Sequence, residues 1–366
     1  MIGVAGFTGV FVTVLAMATG LTKTFVATGD PARAIVLAKS AQTEGLSNLP
    51  RPSLPDISDA PGVLQMDGKP VAVGEHIIGV SLLRRGTATQ AEVTVRGTTE
   101  MGFTVHPEWR IVAGRMFRPG LKEIVAGVGA AAEFEGLAVG DEVVLGGTPW
   151  KVVGHFASNG DSHESELLAD EPTLTSELSW PAYSSITVRL DSPDSFEPFS
   201  TALRANPSLE IDILREQDYY REQSRGIAGL LHLVSTIVGA IMAAGVVFTA
   251  INTMSAAVAS RTTEIAVLRA LGFGSGTVAL SVLMEAVLLS LVGALLGAAV
   301  AWLLFNGNSL STVGGQFGSQ VRFNLLIEPR ILLISIACAC LIGLLGGLIP
   351  AIRAAKLPVA TALRPT

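Results

Sequence analysis

Four long apolar stretches limit what this chain can fold into. They run over residues 2–21, 227–254, 277–305 and 331–350. Each provides the roughly 20 consecutive apolar residues that an α-helix needs to cross the hydrocarbon core of a bilayer. The chain of 366 residues is 49% hydrophobic and 15% charged, with a mean hydropathy of +0.52. Such a composition is too apolar for an ordinary soluble protein and predicts an α-helical bundle of four transmembrane helices.

The first apolar stretch admits a second interpretation as a secretory signal peptide. Residues 16–18, Ala-Met-Ala, resemble a cleavage site. A signal peptide, however, starts with a positively charged segment and has a shorter apolar core than this stretch. We therefore favour a permanent first span.

Residues 22–226 are polar and rich in Pro and Gly. About 200 residues suffice for a hydrophobic core of their own. Mixed helix and strand patterns predict a large α+β extracytoplasmic domain between the first and second spans. Its residues 108–176 read as a β-rich sub-lobe, and residues 30–41 near its start predict a helix.

One hairpin within that sub-lobe is predicted in detail. Gly146-Gly147 separates two short apolar runs, 142–145 and 150–153. A two-residue glycine turn between such runs is typical of antiparallel strands.

The remaining segments follow from the apolar stretches and their flanks. The predicted order is transmembrane helix 1–21, extracytoplasmic domain 22–226, transmembrane helix 227–254, coupling segment 255–276, transmembrane helix 277–305, extracytoplasmic loop 306–330, transmembrane helix 331–350 and tail 351–366.

The short basic flanks predict how the chain is oriented. Positive residues concentrate on the cytoplasmic side of membrane proteins. They occur here in the segment after the second span and in the tail, at Arg261, Arg269, Arg353, Lys356 and Arg364. We therefore expect both termini in the cytoplasm and the large domain outside.

The stretch Arg261–Gly276 is a charged interruption between two apolar spans. Ile265, Leu268 and Leu271 follow a three-to-four spacing, which predicts a short amphipathic helix, and Gly272 sits where a left-handed cap ends it. Such a helix either lies on the lipid surface as a connector or docks into a groove on a partner. Amphipathicity alone does not choose between them.

No catalytic, cofactor-binding or metal-binding pattern is present in the sequence. There is no G-x-x-x-x-G-K-[ST] phosphate-binding loop. A net charge of −6 without a basic cluster argues against nucleic acid as a partner. The five histidines are scattered along the chain, which makes a metal site improbable. They are His76, His106, His155, His163 and His232.

Polar and small residues inside the apolar stretches suggest further roles. Glu285 either lies at the cytoplasmic interface or takes part in helix–helix contact, because a carboxylate deep in lipid is costly. Gly293-x-x-x-Gly297 and Gly343-x-x-x-Gly347 are small-residue packing motifs. They serve packing within one subunit or between two, and the motif leaves this open.

Several of these segments together resemble a known family. The run S-R-T-T-E-I-A-V-L-R-A-L-G-F, followed by E-A-V-L-L-S-L-V-G-A-L-L-G, resembles the signature of FtsX-like ABC transporter permeases, as does the ending P-A-I-R-A-A-K-L-P-V-A-T-A-L-R. G-R-M-F, A-V-G-D-E-V-V-L-G-G-T-P-W-K-V-V-G-H-F and S-H-E-S-E-L-L-A-D resemble the MacB-like periplasmic core domain. One departure is that the chain opens within the first span, without the basic segment that usually precedes it.

The resemblance implies that the charged helix contacts an ATPase. The candidate contacts are Arg261, Glu264, Ile265, Leu268 and Arg269. The ATPase would be a partner subunit that binds ATP, so this chain would carry no cofactor and no catalytic residue. A homodimer or pseudo-symmetric heterodimer in the bacterial inner membrane is implied, together with a possible extracytoplasmic adaptor.

The resemblance also implies a function. The leading hypothesis is a permease subunit that couples ATP hydrolysis by mechanotransmission to export or extraction of a substrate on the extracytoplasmic side. Two alternatives remain at this point: a signalling permease that regulates an extracytoplasmic enzyme, and a membrane-anchored sensor or scaffold without an ATPase.

Overall fold

The computed structural model describes residues 1–87, 89–312 and 321–357. Its ten α-helices over this part of the chain are α1 (Ile2–Thr28), α2 (Ser53–Ser58), α3 (Glu100–Val105), α4 (Val128–Glu133), α5 (Glu171–Leu178), α6 (Phe196–Arg204), α7 (Glu216–Ser260), α8 (Thr262–Ala270), α9 (Ser275–Phe305) and α10 (Pro329–Ala355).

The strands belong to the segments between these helices. They are β1 (Arg33–Ala38), β2 (Leu49–Pro50), β3 (Gln65–Met66), β4 (Lys69–Pro70), β5 (Ala72–Leu83), β6 (Gln90–Thr98), β7 (Arg110–Gly114), β8 (Glu123–Gly127), β9 (Glu142–Leu145), β10 (Thr148–Ala157), β11 (Glu166–Asp170), β12 (Ala182–Tyr183), β13 (Ser185–Arg189), β14 (Ile211–Arg215), β15 (Ser309–Ser311) and β16 (Arg322–Asn324). Short 3-10 turns occupy Glu44–Leu46, Ser162–Ser165 and Pro193–Ser195.

The chain divides into two compact units. The first, here called the helical unit, comprises Met1–Gly20, Ile227–Asn308 and Leu325–Thr366. The second, the α/β unit, comprises Leu21–Gly226 and Ser309–Asn324. Helices α1, α7, α9 and α10 are long and apolar enough to cross a membrane. The predicted fold class, four membrane helices with a large α+β domain between the first and the second, is confirmed.

Glycines bring the helices of the helical unit close together. A Cβ on Gly297 of α9 would lie 2.2 Å from the carbonyl oxygen of Ala5 in α1. A Cβ on Gly343 of α10 would lie 2.1 Å from Ser290 Oγ in α9. Only a hydrogen fits at such positions, so backbones approach to distances that larger residues forbid.

Helix α7 differs from the other three candidate spans in how much of it is covered. Within its most apolar window 6% of the residues are buried, against 33% in α1, 33% in α9 and 39% in α10. The side chains of α7 therefore leave a long apolar surface for lipid or another apolar partner.

The α/β unit is built on one sheet of ten strands. The order is β14-β1-β13-β5-β6-β11-β8-β10-β7, with β9 paired to β10. Strand β5 joins two halves, since Ala72–Glu75 pair with β13 and His76–Leu83 pair with β6. Each half has its own core: one centres on Val36, Ile186 and Phe199, the other on Trp150.

The helix predicted over residues 30–41 is wrong. Residues Arg33–Ala38 form strand β1, which lies between β13 and β14. Asp30 resembles a helix cap in the sequence, but its Oδ1 accepts a hydrogen bond from the Ala32 amide and forms a turn. The residues from Ala34 to Leu37 are all buried, and a continuously buried apolar run suits a strand covered on both faces.

Candidate functional site

Helix α8 is a separate short element between two candidate spans. The backbone leaves helical geometry at Arg261, which separates α8 from α7. At the other end Gly272 adopts a φ of +97°, and the Phe273 amide donates to the Leu268 carbonyl at 3.2 Å. A left-handed glycine with such a reverse bond is the usual helix stop. The sequence prediction of a short helix ending at Gly272 is thereby matched in the structure.

One face of α8 is packed onto the spans of its own unit. Ile265 and Ala266 are buried. Ile265 belongs to an apolar cluster contributed by α7, α9 and α10. The other buried members of that cluster are Met254, Val278, Val282, Ala286, Ala351 and Ala354. This face therefore fixes α8 to the ends of three long helices.

The opposite face of α8 and the turn after it are apolar and uncovered. Val267 and Leu268 are each 44% exposed, Phe273 is 52% exposed and Leu271 is 72% exposed. We call these four residues the coupling surface. Val267 and Leu268 lie in the last turns of α8, and Leu271 and Phe273 follow it directly, so all four belong to the same end of this element.

The five residues proposed as ATPase contacts do not share one environment. Glu264 and Leu268 are exposed, whereas Ile265 lies in the apolar cluster beneath α8. Arg269 donates from Nη1 to the Leu357 carbonyl at 2.5 Å. Arg261 Nη1 lies 3.4 Å from a Glu285 carboxylate oxygen. Contact with an ATPase stays a prediction for all five, and the position of Ile265 makes it a poor member of the set.

The partner of Glu285 is Arg261, in the turn before α8. Both side chains are partly exposed, at 42% and 57%. The pair connects α9 to the turn between α7 and α8. A position of Glu285 at the cytoplasmic interface stays a prediction.

Both glycine motifs pack within one subunit. Cβ atoms on Gly293 and Gly297 would meet Met1, Val4 and Ala5 of α1. Cβ atoms on Gly343 and Gly347 would meet Ser290 and Ala286 of α9. The motifs thus hold α1, α9 and α10 together.

The α/β unit contains a buried ionic cluster that no sequence pattern indicated. Arg96 of β6 is 2% exposed and pairs with Glu44 at 3.0 Å, Glu75 at 2.7 Å and Glu166 at 2.7 Å. Its guanidinium therefore ties the 3-10 turn Glu44–Leu46 to three central strands. Buried charges persist only where partners compensate the lost hydration.

A second arginine holds the start of α7. The Arg33 side chain is 2% exposed; its Nε donates to Glu216 Oε2 at 2.5 Å and its Nη1 lies 2.8 Å from a Glu108 carboxylate oxygen. The Asp30 amide also donates to Glu216 Oε2, at 2.8 Å. Gly29 packs against Gln217 so closely that a Cβ would lie 2.4 Å from Gln217 Cα. The first turn of α7 is therefore fixed to the end of α1 and the start of β1.

Two buried histidines, His106 and His163, feel the charges of these arginines, and their pKa values are shifted by different causes. Burial lowers the pKa of His163, but the charge of Glu166 and a hydrogen bond to it outweigh burial and raise that pKa to about 9. Burial, followed by the charge of Arg33, holds the pKa of His106 well below its usual value. The pKa values of the two histidines are therefore shifted in opposite directions.

The five histidines are scattered along the sequence, but the fold brings two of them together. The rings of His106 and His163 have centroids 5.2 Å apart. With Glu216 they form a group of three buried residues whose candidate ligand atoms lie within 4.8 Å of one another. The three are distant in the sequence and come from the residue after α3, a 3-10 turn and the start of α7, so no spacing rule could have found them.

Comparisons with known proteins match both units of the chain. Residues 1–206 match the MacB-like periplasmic core domain, and residues 236–359 match the FtsX-like permease C-terminal region. The macrolide export ATP-binding/permease protein MacB of Chromobacterium violaceum is 28% identical over 244 residues, covering 61% of this chain and 35% of that protein. The uncharacterized ABC transporter permease YknZ of Bacillus subtilis is 25% identical over 237 residues, covering 62% of this chain and 57% of that protein.

Two solved structures are similar to part of the chain. The periplasmic region of MacB from Actinobacillus actinomycetemcomitans is 14% identical with a TM-score of 0.39, covering 51% of this chain and 90% of that one. The extracellular domain of YknZ from Gram-positive bacteria is 17% identical with a TM-score of 0.38, covering 50% of this chain and 99% of that one. The chain spans about a third of the length of the MacB relatives it matches, 35% in the example above. Because the two family models together match residues 1–206 and 236–359, the chain belongs to the ABC transporter permeases of the MacB and FtsX type, with a MacB-like periplasmic core domain.

Proposed function

We propose that this chain couples ATP hydrolysis, carried out by an ATPase outside this sequence, to export or extraction of a substrate on the extracytoplasmic side. The observation that carries the proposal is the two-faced packing of α8. Its buried face, at Ile265 and Ala266, sits on three long helices, and its coupling surface is free to receive a partner.

The chemistry of the coupling surface fits a groove on a soluble protein. Helix-in-groove recognition uses apolar anchors three to four residues apart on one helical face. Leu268 and Leu271 have this spacing, and Glu264 stands one turn before Leu268 as a polar contact at the rim. An ATPase that pushes on this surface also pushes on the apolar cluster beneath it.

The long helix α7 supports a mechanical route for this displacement. It runs as one helix from Glu216 to Ser260. The first turn is anchored by the Glu216 carboxylate to Arg33, and the last turns reach the cluster under α8 through Met254. In our proposal, motion of α8 is transmitted along α7.

The relatives support the remaining parts of the proposal. The MacB relatives are named as macrolide exporters with ATP-binding and permease functions, which favours export over signalling. In our proposal, ATP binds to the ATPase outside this sequence. We place the chain in the bacterial inner membrane as a dimer with α8 on the cytoplasmic side.

Loss of ATPase binding on disruption of the coupling surface tests the proposal. Leu268→Asp puts a charge at the centre of the apolar patch, and we expect it to abolish co-purification of the ATPase. Ser275→Asp is the matched control, because Ser275 is exposed and a negative charge at the first residue of α9 suits the helix dipole. Equal recovery of the ATPase with both variants would return α8 to a role on the lipid surface.

The orientation is tested separately. With Cys338 and Cys340 replaced by serine, a cysteine introduced at the exposed position Ser275 serves as a reporter. We expect a membrane-impermeant maleimide to label it only after the inner membrane is permeabilised. Labelling in intact cells would overturn the cytoplasmic placement of α8.

A further inference from the structure

We propose that the α/β unit binds one Zn²⁺ ion through His106, His163 and Glu216. All three side chains are buried, and their candidate ligand atoms lie within 4.8 Å of one another. Two imidazoles and one carboxylate are a donor set that zinc uses in proteins. This inference does not depend on the transport function proposed above.

Glu216 has one oxygen engaged and one available. Its Oε2 accepts hydrogen bonds from the Asp30 amide at 2.8 Å and from Arg33 Nε at 2.5 Å. Its Oε1 lies 3.9 Å from His106 Nδ1. The arginine therefore orients the carboxylate so that the second oxygen points at the histidines.

His163 is held in the same way by a carboxylate. Its Nδ1 lies 3.2 Å from Glu166 Oε2, and its Nε2 lies 3.5 Å from the Tyr220 hydroxyl. Metal-binding histidines nearly always give their other ring nitrogen to a carboxylate, carbonyl or water. The Glu166 contact thus leaves Nε2 as the nitrogen available to a metal. Metal binding would replace the weak contact between Nε2 and the Tyr220 hydroxyl.

His106 supplies the independent observation. Its side chain is 1% exposed, and among the described residues neither ring nitrogen has a hydrogen-bond partner. The ring stacks on Trp109 with centroids 4.4 Å apart and planes 9° apart, which fixes its orientation. Buried polar nitrogens without partners are rare in native structures and call for an explanation such as a bound ion.

The local charge balance favours a cation. Arg33 and Arg96 are paired with five carboxylates, those of Glu44, Glu75, Glu108, Glu166 and Glu216. Two guanidinium groups do not by themselves neutralise five carboxylates, and the His163 imidazole beside Glu166 is a further basic group. A divalent cation bound to the two imidazoles, with release of any proton held by His163, would supply positive charge to this cluster.

The geometry needs a small closure to reach zinc distances. Zinc–nitrogen and zinc–oxygen bonds of about 2.0–2.2 Å put tetrahedral ligands about 3.3 Å apart, against 3.9 Å for His106 Nδ1 and Glu216 Oε1. Glu108 is the candidate fourth ligand, with a carboxylate oxygen 3.5 Å from His106 Nδ1. Imidazole donors select zinc over magnesium or calcium, which take oxygen ligands.

Such an ion would join three elements that are remote in the sequence. His106 follows α3, His163 is in the 3-10 turn Ser162–Ser165, and Glu216 is the first residue of α7. Zinc would therefore bind the start of α7 to His106 and to the 3-10 turn, as a structural zinc site does.

Metal analysis of the full chain tests the proposal. The protein, purified in detergent without a histidine tag, is stripped with a chelator, dialysed against zinc chloride and assayed for zinc per chain. We expect one ion per chain, and with cobalt chloride the absorption spectrum of four-coordinate Co²⁺. His106→Gln and His163→Gln are expected to lose both signals, and Glu166→Gln to weaken zinc binding by about 10–100-fold.

His76→Gln is the matched control. His76 is also buried, but its ring neighbour is Trp180 rather than an acidic cluster. It should retain zinc. The proposal is overturned if wild-type chain binds no zinc after stripping, if its cobalt spectrum is octahedral, or if His76→Gln loses as much zinc as the ligand variants. The absence of zinc from the wild-type chain is enough to overturn the proposal, so the test does not depend on whether the ligand variants fold.

Discussion

Replacing Gly297 by alanine tests whether α1 and α9 pack as the structure shows. A Cβ at this position would lie 2.2 Å from the Ala5 carbonyl oxygen and 2.9 Å from Ala5 C and Cα. These atoms are backbone atoms of a helix, so they cannot rotate away as a side chain would. Relief requires the two helices to separate by about 1 Å, which opens gaps along their contact.

Two opposing free-energy contributions set the expected change in stability of Gly297→Ala. Overpacking of this kind costs about 1–3 kcal/mol. Alanine in place of glycine in a helix interior gains up to about 1 kcal/mol. Gly6→Ala isolates the steric term, because Gly6 lies in α1 and a Cβ there meets nothing within 4 Å. The difference between the two variants should therefore be about 1–3 kcal/mol in favour of Gly6→Ala.

Thermal unfolding of the purified full chain in one detergent measures this difference. At about 2–4 °C per kcal/mol for a large domain, Gly297→Ala should melt several degrees below Gly6→Ala. Equal melting temperatures would refute the close approach of α1 and α9, since helix propensity alone predicts the same gain at both sites.

Three further predictions concern other contacts. Arg261→Glu should destabilise the chain by about 0.2–1 kcal/mol, because the ion pair with Glu285 is partly exposed. In a double-mutant cycle, adding Glu285→Arg should restore the lost stability. Inserting three glycines after Arg225 should abolish transport while leaving ATPase co-purification intact; unchanged transport would rule out transmission along α7. Hydrogen bonds from Arg115 lower the pKa of Glu123, so this pair stabilises the chain above about pH 4 and the effect is lost as the pH falls through the lowered pKa. Glu123→Gln should therefore reduce the acid-induced fall in melting temperature, and an unchanged fall would contradict the assignment.

Much of the local structure follows from short-range sequence patterns. The four spans were found because length and apolarity suffice to identify a membrane helix. The hairpin of β9 and β10 was found because Gly146 and Gly147 accept the positive φ values of +57° and +84° that its turn requires. The helix prediction for residues 30–41 failed because it also used a short-range pattern. Asp30 begins a turn as readily as a helix, and only the burial of β1 on both faces distinguishes a strand from a helix here.

The sequence predicted the existence of helix α8 but not which of its faces is buried. Spacing and the cap at Gly272 indicated helix α8, and its contact with an ATPase, which the resemblance implies, stays a prediction. Spacing could not tell that Ile265 packs inward while Leu268 faces outward, because an apolar stripe is the same whether the protein or a partner covers it. The pairing of Glu285 with Arg261 likewise depends on where the turn after α7 places the guanidinium.

The sequence by itself determined the spans, the hairpin and the position of α8, because hydropathy, helix caps and glycine turns act over a few neighbouring residues. Only the tertiary structure decided which glycines meet which helix, which side of α8 is free, and that His106, His163 and Glu216 converge. Those contacts join residues far apart in the chain, and their energies depend on distances and burial that arise only when β1, α3 and α7 pack together.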